Sequence, residues 1–97
     1  MEAILNLYKG CEDVEPYKSY VCKRLLLKVS KKVGALSSKV KGASPEEQER
    51  ITLEILKTIF PDFKDEEFED VDPVEYMKFV EQIMQETNEI MENAQKN

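Results

Sequence analysis

The sequence predicts a mainly α (α+β) protein, in which a small N-terminal β element precedes three main helices and an acidic elbow. The 97 residues match the size of one domain, so we expect residues 1–97 to form a single unit. Tryptophan and histidine are absent and glycine and proline are scarce, which favours a helical chain over an all-β one. From residue 19 onward, most apolar residues recur at the spacing of amphipathic helices.

The β element is predicted over residues 1–16. Ala3, Leu5 and Leu7 would share one face of a strand, with Ile4 and Tyr8 on the other. Residues 11–16 read as a turn or a return strand, which Pro16 restricts to an edge or an end. Because an isolated hairpin is marginally stable in water, this one must pack on the helices or pair with another chain.

A two-helix segment is predicted over residues 19–60. The first helix is expected at residues 19–33, with Ser19 as N-cap and Gly34 as its stop. Its apolar residues recur every fourth position, namely Val21, Leu25, Val29 and Val33. Residues 34–43 are interpreted as a loop or a frayed turn.

The second helix of this segment has a clear start. Ser44 is the expected cap, Pro45 suits the first helical position, and Glu47 follows at the third. The helix is expected to run to Phe60. Its predicted buried residues are Ile51, Ile55, Leu56, Ile59 and Phe60.

The elbow, residues 61–72, begins where Pro61 stops the preceding helix. It holds seven carboxylates and three apolar anchors, Phe63, Phe68 and Val71. A phenylalanine left in water costs roughly 1.5–3 kcal/mol, so we expect the rings to fill the junction between two helices. The residues assigned to this structural elbow are Phe60, Pro61, Phe63 and Phe68.

The C-terminal helix, residues 73–97, opens with Asp72 as cap and Pro73 at its first position. A seam spaced three and four residues apart, typical of coiled coils, runs through Met77, Val80, Met84, Thr87, Met91 and Ala94. Tyr76, Phe79, Ile83 and Ile90 broaden its first half into a face suited to a globular core, and we interpret Met77 as core as well. Beyond residue 85 the apolar content thins, so the predicted partner-binding residues are Met84, Thr87, Ile90 and Met91.

The sequence offers no pattern for catalysis, and we expect no catalytic, cofactor-binding or metal-binding residues. Histidine is absent and the three glycines are far apart, which excludes an imidazole base and a phosphate loop. Counting Asp62 as the first residue of a calcium loop puts Glu67 where glycine is required and Pro73 where glutamate is required. Cys11 and Cys22 are interpreted as reduced thiols. The protein is therefore predicted not to be an enzyme.

Charge divides the chain into three blocks. Residues 1–15 carry −3, residues 16–45 carry +8 and residues 46–97 carry −11, within a total of −6. The basic block could contact nucleic acid, or it could be a solvated face that the acidic C-terminal half partly neutralises. No apolar run reaches the length of a membrane span, so a soluble, cytoplasmic protein is expected. Self-association is predicted through the C-terminal helix or the strand edge.

Four stretches carry a family resemblance, namely the N-terminal strand segment, residues 20–26 (YVCKRLL), residues 55–63 (ILKTIFPDF) and residues 72–76 (DPVEY). Together they resemble the small tail assembly chaperones of bacteriophages and prophages with long, non-contractile tails. The resemblance covers most of the chain. It implies a protein of the bacterial host cytoplasm that coats the tape-measure protein and keeps it soluble until tail tube subunits polymerise around it.

The resemblance also implies that the tail tube protein is a possible second partner. Two other functions remain open from the sequence. The chain could be a small nucleic-acid-binding regulator that uses the basic first helix, or a structural head–tail joining protein.

Overall fold

The computed structural model describes residues 2–96, with side chains as far as Asn93. Two strands, β1 (Ala3–Leu7) and β2 (Lys18–Cys22), precede the helices α1 (Leu27–Ser37) and α2 (Pro45–Ile59). A short 3-10 helix (Asp65–Asp70) then leads into the long helix α3 (Pro73–Lys96). The predicted class, mainly α with a small β element, is confirmed. No helix within the described residues is long and apolar enough to cross a bilayer.

The two strands form an antiparallel sheet in which Ala3 lies opposite Cys22 and Leu7 opposite Lys18. As the alternation predicts, Ala3, Leu5 and Leu7 are fully buried, whereas Ile4 is 44% exposed. The inner face of β1 is therefore part of the core.

Residues 11–16 form part of the connecting turn, the first of the two predicted alternatives, and the return strand lies instead at Lys18–Cys22. Tyr20 and Val21 are aromatic and β-branched residues that suit a half-buried sheet. The Ser19 hydroxyl donates to the side-chain oxygen of Asn6 at 2.6 Å, across the sheet, instead of capping a helix. The β element consequently extends to residue 22.

The first helix, predicted at residues 19–33, is displaced toward the C-terminus. Val21 lies on the outer face of the sheet and is 42% exposed, so its four-residue spacing from Leu25 does not reflect a helix. Gly34 also fails to stop α1, which continues to Ser37 because burial of Leu36 favours another turn. The chain turns instead near Gly42, whose φ of +83° is the left-handed conformation that glycine tolerates.

The starts of α2 and α3 agree with the sequence. The Ser44 hydroxyl accepts from the Glu47 backbone N–H at 3.2 Å, and α2 ends at Ile59 with Phe60 in an extended conformation. At the start of α3, Asp72 Oδ1 accepts from the Val74 backbone N–H at 2.8 Å. Both caps satisfy donors that the first helical turn leaves free.

Aromatic rings fill the elbow, as predicted, and one ring comes from the sheet. Phe60 and Phe63 are buried. The ring of Tyr20 lies 5.2 Å from Phe60 and 5.4 Å from Phe63, between ring centroids. Phe60 stacks in turn on Phe79 of α3 at 5.7 Å. Such pairs contribute about 0.5–1.5 kcal/mol each beyond the area they bury, so this junction fastens strand, elbow and α3 together.

Glu67 adds a polar contact to this junction. Its buried carboxylate accepts from the Tyr20 hydroxyl at 2.6 Å and from the Lys64 backbone N–H at 2.9 Å, and it pairs with Lys18 at 2.9 Å. Burial raises the pKa of Glu67, but the bonds from Tyr20, Lys18 and Lys64 outweigh it and lower the pKa to about 2. The ionised carboxylate therefore ties β2 to the elbow.

We expect Glu67→Gln to lower the free energy of unfolding by about 1–3 kcal/mol at neutral pH, because charge-assisted bonds are lost from a buried site. The pKa of Glu67 in the folded protein lies below its ordinary value of 4.5. The ionised carboxylate therefore contributes fully to the free energy of unfolding above pH 4.5. This contribution is lost as the pH falls toward about 2, and the difference between wild type and variant should shrink over this interval. Urea unfolding at several pH values measures both.

The exposed neighbour supplies the control, since Glu66→Gln should leave the unfolding free energy within about 0.5 kcal/mol of wild type. Equal effects of the two substitutions, or a gap between wild type and Glu67→Gln that does not change with pH, would contradict the assignment.

Candidate functional site

An apolar hollow of about 320 Å³ lies between α2 and α3 and is closed at one side by the end of α1 and the turn after it. We call it the helix groove. α2 contributes Thr52, Ile55, Leu56 and Ile59 to its lining, α3 contributes Tyr76, Met77, Phe79, Val80, Ile83 and Met84, and Ser37 and Val40 complete it.

The groove follows from how the three helices pack. α1 packs against both α2 and α3, and the two longer helices approach each other little. Each presents an apolar face wider than the core can cover. On α2, Ile55 and Ile59 lie one turn apart on the same face, and both are half-buried. Apolar side chains are therefore left at the surface along the line between the two helices.

Met77 forms part of the groove's open side. It is 57% exposed, and Val74, one turn earlier on the same helix, is 65% exposed. The prediction that Met77 belongs to the core is therefore wrong. Met84 is half-buried and lies deeper in the groove.

The four predicted partner-binding residues differ in burial and in their position relative to the groove. Met84 lines the groove, but Thr87 is 3% exposed and its hydroxyl donates to the Ile83 carbonyl at 2.8 Å, so it cannot contact a partner. Ile90 is half-buried and packs against the core. Met91 is half-buried and lies outside the groove lining. Ala94, the last residue of the seam, is outside the described side chains.

The misplacement has a geometric cause. α3 carries two apolar stripes side by side, and the predicted seam follows the second. The predicted core face of Tyr76, Phe79, Ile83 and Ile90 does pack on the core, and Phe79 and Ile83 are buried there. Val80 and Met84 of the seam are half-buried against the same cluster. At 3.6 residues per turn, Thr87 points within about 20° of Tyr76 whereas Met77 points about 100° away, so Thr87 is buried and Met77 is exposed.

The groove is lined mainly by apolar side chains. The polar residues in its lining are Ser37, Thr52 and Tyr76. Burial raises the pKa of Tyr76, and the Thr52 side chain offsets part of this rise, so the phenol stays neutral at physiological pH. Within the described residues, no group of three or more histidine, cysteine, aspartate or glutamate side chains could hold a metal ion.

A second hollow, of about 430 Å³, lies between the elbow and the hairpin loop, which we define as residues 8–17. Asp13, Glu69, Asp70 and Asp72 are among its lining residues. Tyr17 donates to Asp70 at 2.5 Å, and this bond raises the pKa of Tyr17 to about 12, with burial adding to the rise. Cys11, which also lines this hollow, is an exposed free thiol.

The basic block remains largely unpaired. Of its eight cations, Lys18 pairs with Glu67, and the other seven have no carboxylate partner among the described residues.

Comparisons with protein-family models, with curated proteins and with solved structures find no match.

We expect Met77→Gln to leave the free energy of unfolding within about 0.5 kcal/mol of wild type, because most of the side chain is already in water. Ile83→Ala, which empties a fully buried position at the base of the groove, should lower it by about 2–5 kcal/mol. Urea unfolding of both variants measures the contrast. If Met77→Gln lowered the free energy of unfolding by more than about 1 kcal/mol, Met77 would belong to the core after all.

Proposed function

We propose that this protein is a tail assembly chaperone of a long-tailed bacteriophage or prophage, and that its helix groove holds apolar helical segments of the tape-measure protein. The observation that carries the proposal is the groove itself, an exposed apolar surface on a small acidic protein. The choice of the tail assembly chaperones as the family comes from the resemblance of residues 20–26, 55–63 and 72–76 described above.

The lining of the groove suits a varied client. Methionine is flexible and polarizable, and Met77 and Met84 can adapt to different side chains along a long helical protein. Grooves between helices commonly receive the apolar face of an amphipathic helix, with anchors three and four residues apart. The groove therefore supports binding of helical segments by shape and apolarity, without requiring one particular sequence.

The body of the protein supports the solubilising part of the role. Most charged residues of α2 and α3 are exposed, and the chain carries a net charge of −6. A client with long apolar helices aggregates unless these are covered, and a charged cover keeps the complex in solution. We place this activity in the cytoplasm of the bacterial host, before tail tube subunits assemble on the client.

Met77→Asp tests the proposal, because a carboxylate at the open side of the groove disfavours apolar contact without disturbing the buried core. Co-expression of the wild-type chain with the tape-measure protein encoded beside it should give a soluble complex. Met77→Asp should reduce the soluble client several-fold. The readout is the fraction of client in the cleared lysate and its co-purification with the chaperone.

Gln85→Asp is the matched control, since it introduces the same residue on an exposed position of α3 outside the groove. It should solubilise the client as well as wild type does. If the client is equally soluble with and without this protein, the chaperone function is overturned. If Met77→Asp and Gln85→Asp behave alike, the groove is not the binding site.

A further inference from the structure

The chain separates its opposite charges at the two ends of its strand pair. After β2 come the exposed cations of the basic pole, which we define as Lys23, Arg24, Lys28, Lys31 and Lys32. Leu26 and Leu27 lie among these cations and are 50% and 44% exposed. The basic pole therefore combines positive charge with uncovered apolar surface.

The acidic pole lies at the other end of β2. It consists of the hairpin loop and the elbow, which are joined by a bond from the Tyr8 backbone N–H to the Asp70 carbonyl at 2.9 Å. Lys18, the first residue of β2, contacts Glu67 of the elbow, whereas Cys22, the last, directly precedes the basic pole. Four residue steps along a strand span roughly 13 Å, so the two poles adjoin opposite ends of β2.

The acidic pole contains a hollow that could receive the basic pole of another molecule. This second hollow is lined by carboxylates and also by Val14, which is 91% exposed, and by Val71. Lys9, a cation in its lining, lies 4.3 Å from the centroid of the Tyr17 ring and so has a partner already. The hollow therefore offers negative charge around apolar side chains, the complement of the basic pole.

We propose that the basic pole of one copy docks in the hollow at the acidic pole of a second copy. Leu26 and Leu27 would cover Val14 and Val71, while the surrounding lysines meet the carboxylates of the hollow. The two surfaces are different, so the contact is head-to-tail, and its repetition builds an open linear assembly. It uses none of the residues that line the helix groove, and it stands independently of the proposed client.

The apolar component favours a second copy over nucleic acid as the occupant. A phosphate backbone would satisfy the lysines but would leave Leu26 and Leu27 in water, whereas the hollow covers both kinds of side chain. Residues 46–97 also carry −11, which opposes the approach of a polyanion but attracts the basic pole of another copy.

The first measurement uses the wild-type chain in sedimentation velocity across a range of protein concentrations. At about 0.05 M salt we expect species larger than the monomer that grow with concentration. At about 0.5 M salt we expect a return to monomer, because the Debye length falls to about 4 Å and the attraction between the two poles is screened. A chain that is monomeric in both conditions overturns the proposal.

The second measurement uses charge reversal on each pole. Lys28→Glu/Lys31→Glu and Glu66→Lys/Glu69→Lys alter exposed side chains, and each should weaken self-association roughly tenfold or more. Mixed in equal amounts, the two variants should associate again, because each retains the pole that the other has lost. Lys39→Glu/Lys41→Glu and Glu81→Lys/Glu89→Lys make the same charge changes outside the poles and should associate like wild type.

Two results would contradict the second copy as occupant. Association that survives in both pole variants and in high salt would belong to an apolar surface, such as the free edge of β2 or the end of α3. Tight, salt-sensitive binding of a duplex DNA or RNA probe that is lost in Lys28→Glu/Lys31→Glu, with no self-association of the wild type, would assign the basic pole to nucleic acid.

Discussion

Tyr20 joins β2 to the end of α2 and to the elbow, and through Phe60 to α3. Its ring lies against Phe60 and Phe63, which end α2 and open the elbow, and its hydroxyl donates to the buried carboxylate of Glu67. Because Phe60 also stacks on Phe79, the same cluster reaches α3. The two longer helices approach each other little, and α1 packs against both of them. The helix groove therefore lies between α2 and α3, because α1, not α3, is the main neighbour of α2.

The junction also explains why a small chain leaves apolar surface uncovered. A domain of this size buries a modest share of its surface, and here the inner face of β1, the elbow rings and one stripe of α3 form a single cluster. The second stripe of α3 and the facing stripe of α2 have no element left to cover them. Their side chains stay half-buried, which costs stability unless another molecule binds there. Half-buried apolar side chains on α2 and α3 are typical of a surface that a partner covers.

The sequence predicts those elements whose signals are local. Ser44 and Asp72 cap helices with their own side chains, and Pro61 prevents a helix from continuing, so the ends of α2, the elbow and α3 agree with expectation. The alternation of Ala3, Leu5 and Leu7 likewise fixes the inner face of β1. In each case the decisive interaction is made within a few residues along the chain.

The sequence patterns that predict the wrong structure lie where contacts between residues distant in sequence decide the outcome. Residues 18–22 have an amphipathic spacing that fits a helix, but pairing with β1 and packing on the elbow rings make them a strand. Gly34 remains helical because Leu36 gains burial against other elements. The groove itself could not be predicted, since its lining comes from two helices whose packing depends on contacts distant in sequence. Met77 continues the spacing of the seam, but it points about 100° away from Tyr76 around the helix and is exposed.

The basic pole and the helix groove occupy different parts of the molecule. The groove lies between α2 and α3, whose exposed charged residues are mostly acidic, and none of its lining residues belongs to the basic pole. Two further cations, Lys39 and Lys41, flank Val40 of the lining, so positive charge also lies beside the groove. A substitution in the basic pole leaves the apolar lining intact, and the two surfaces can therefore be altered independently.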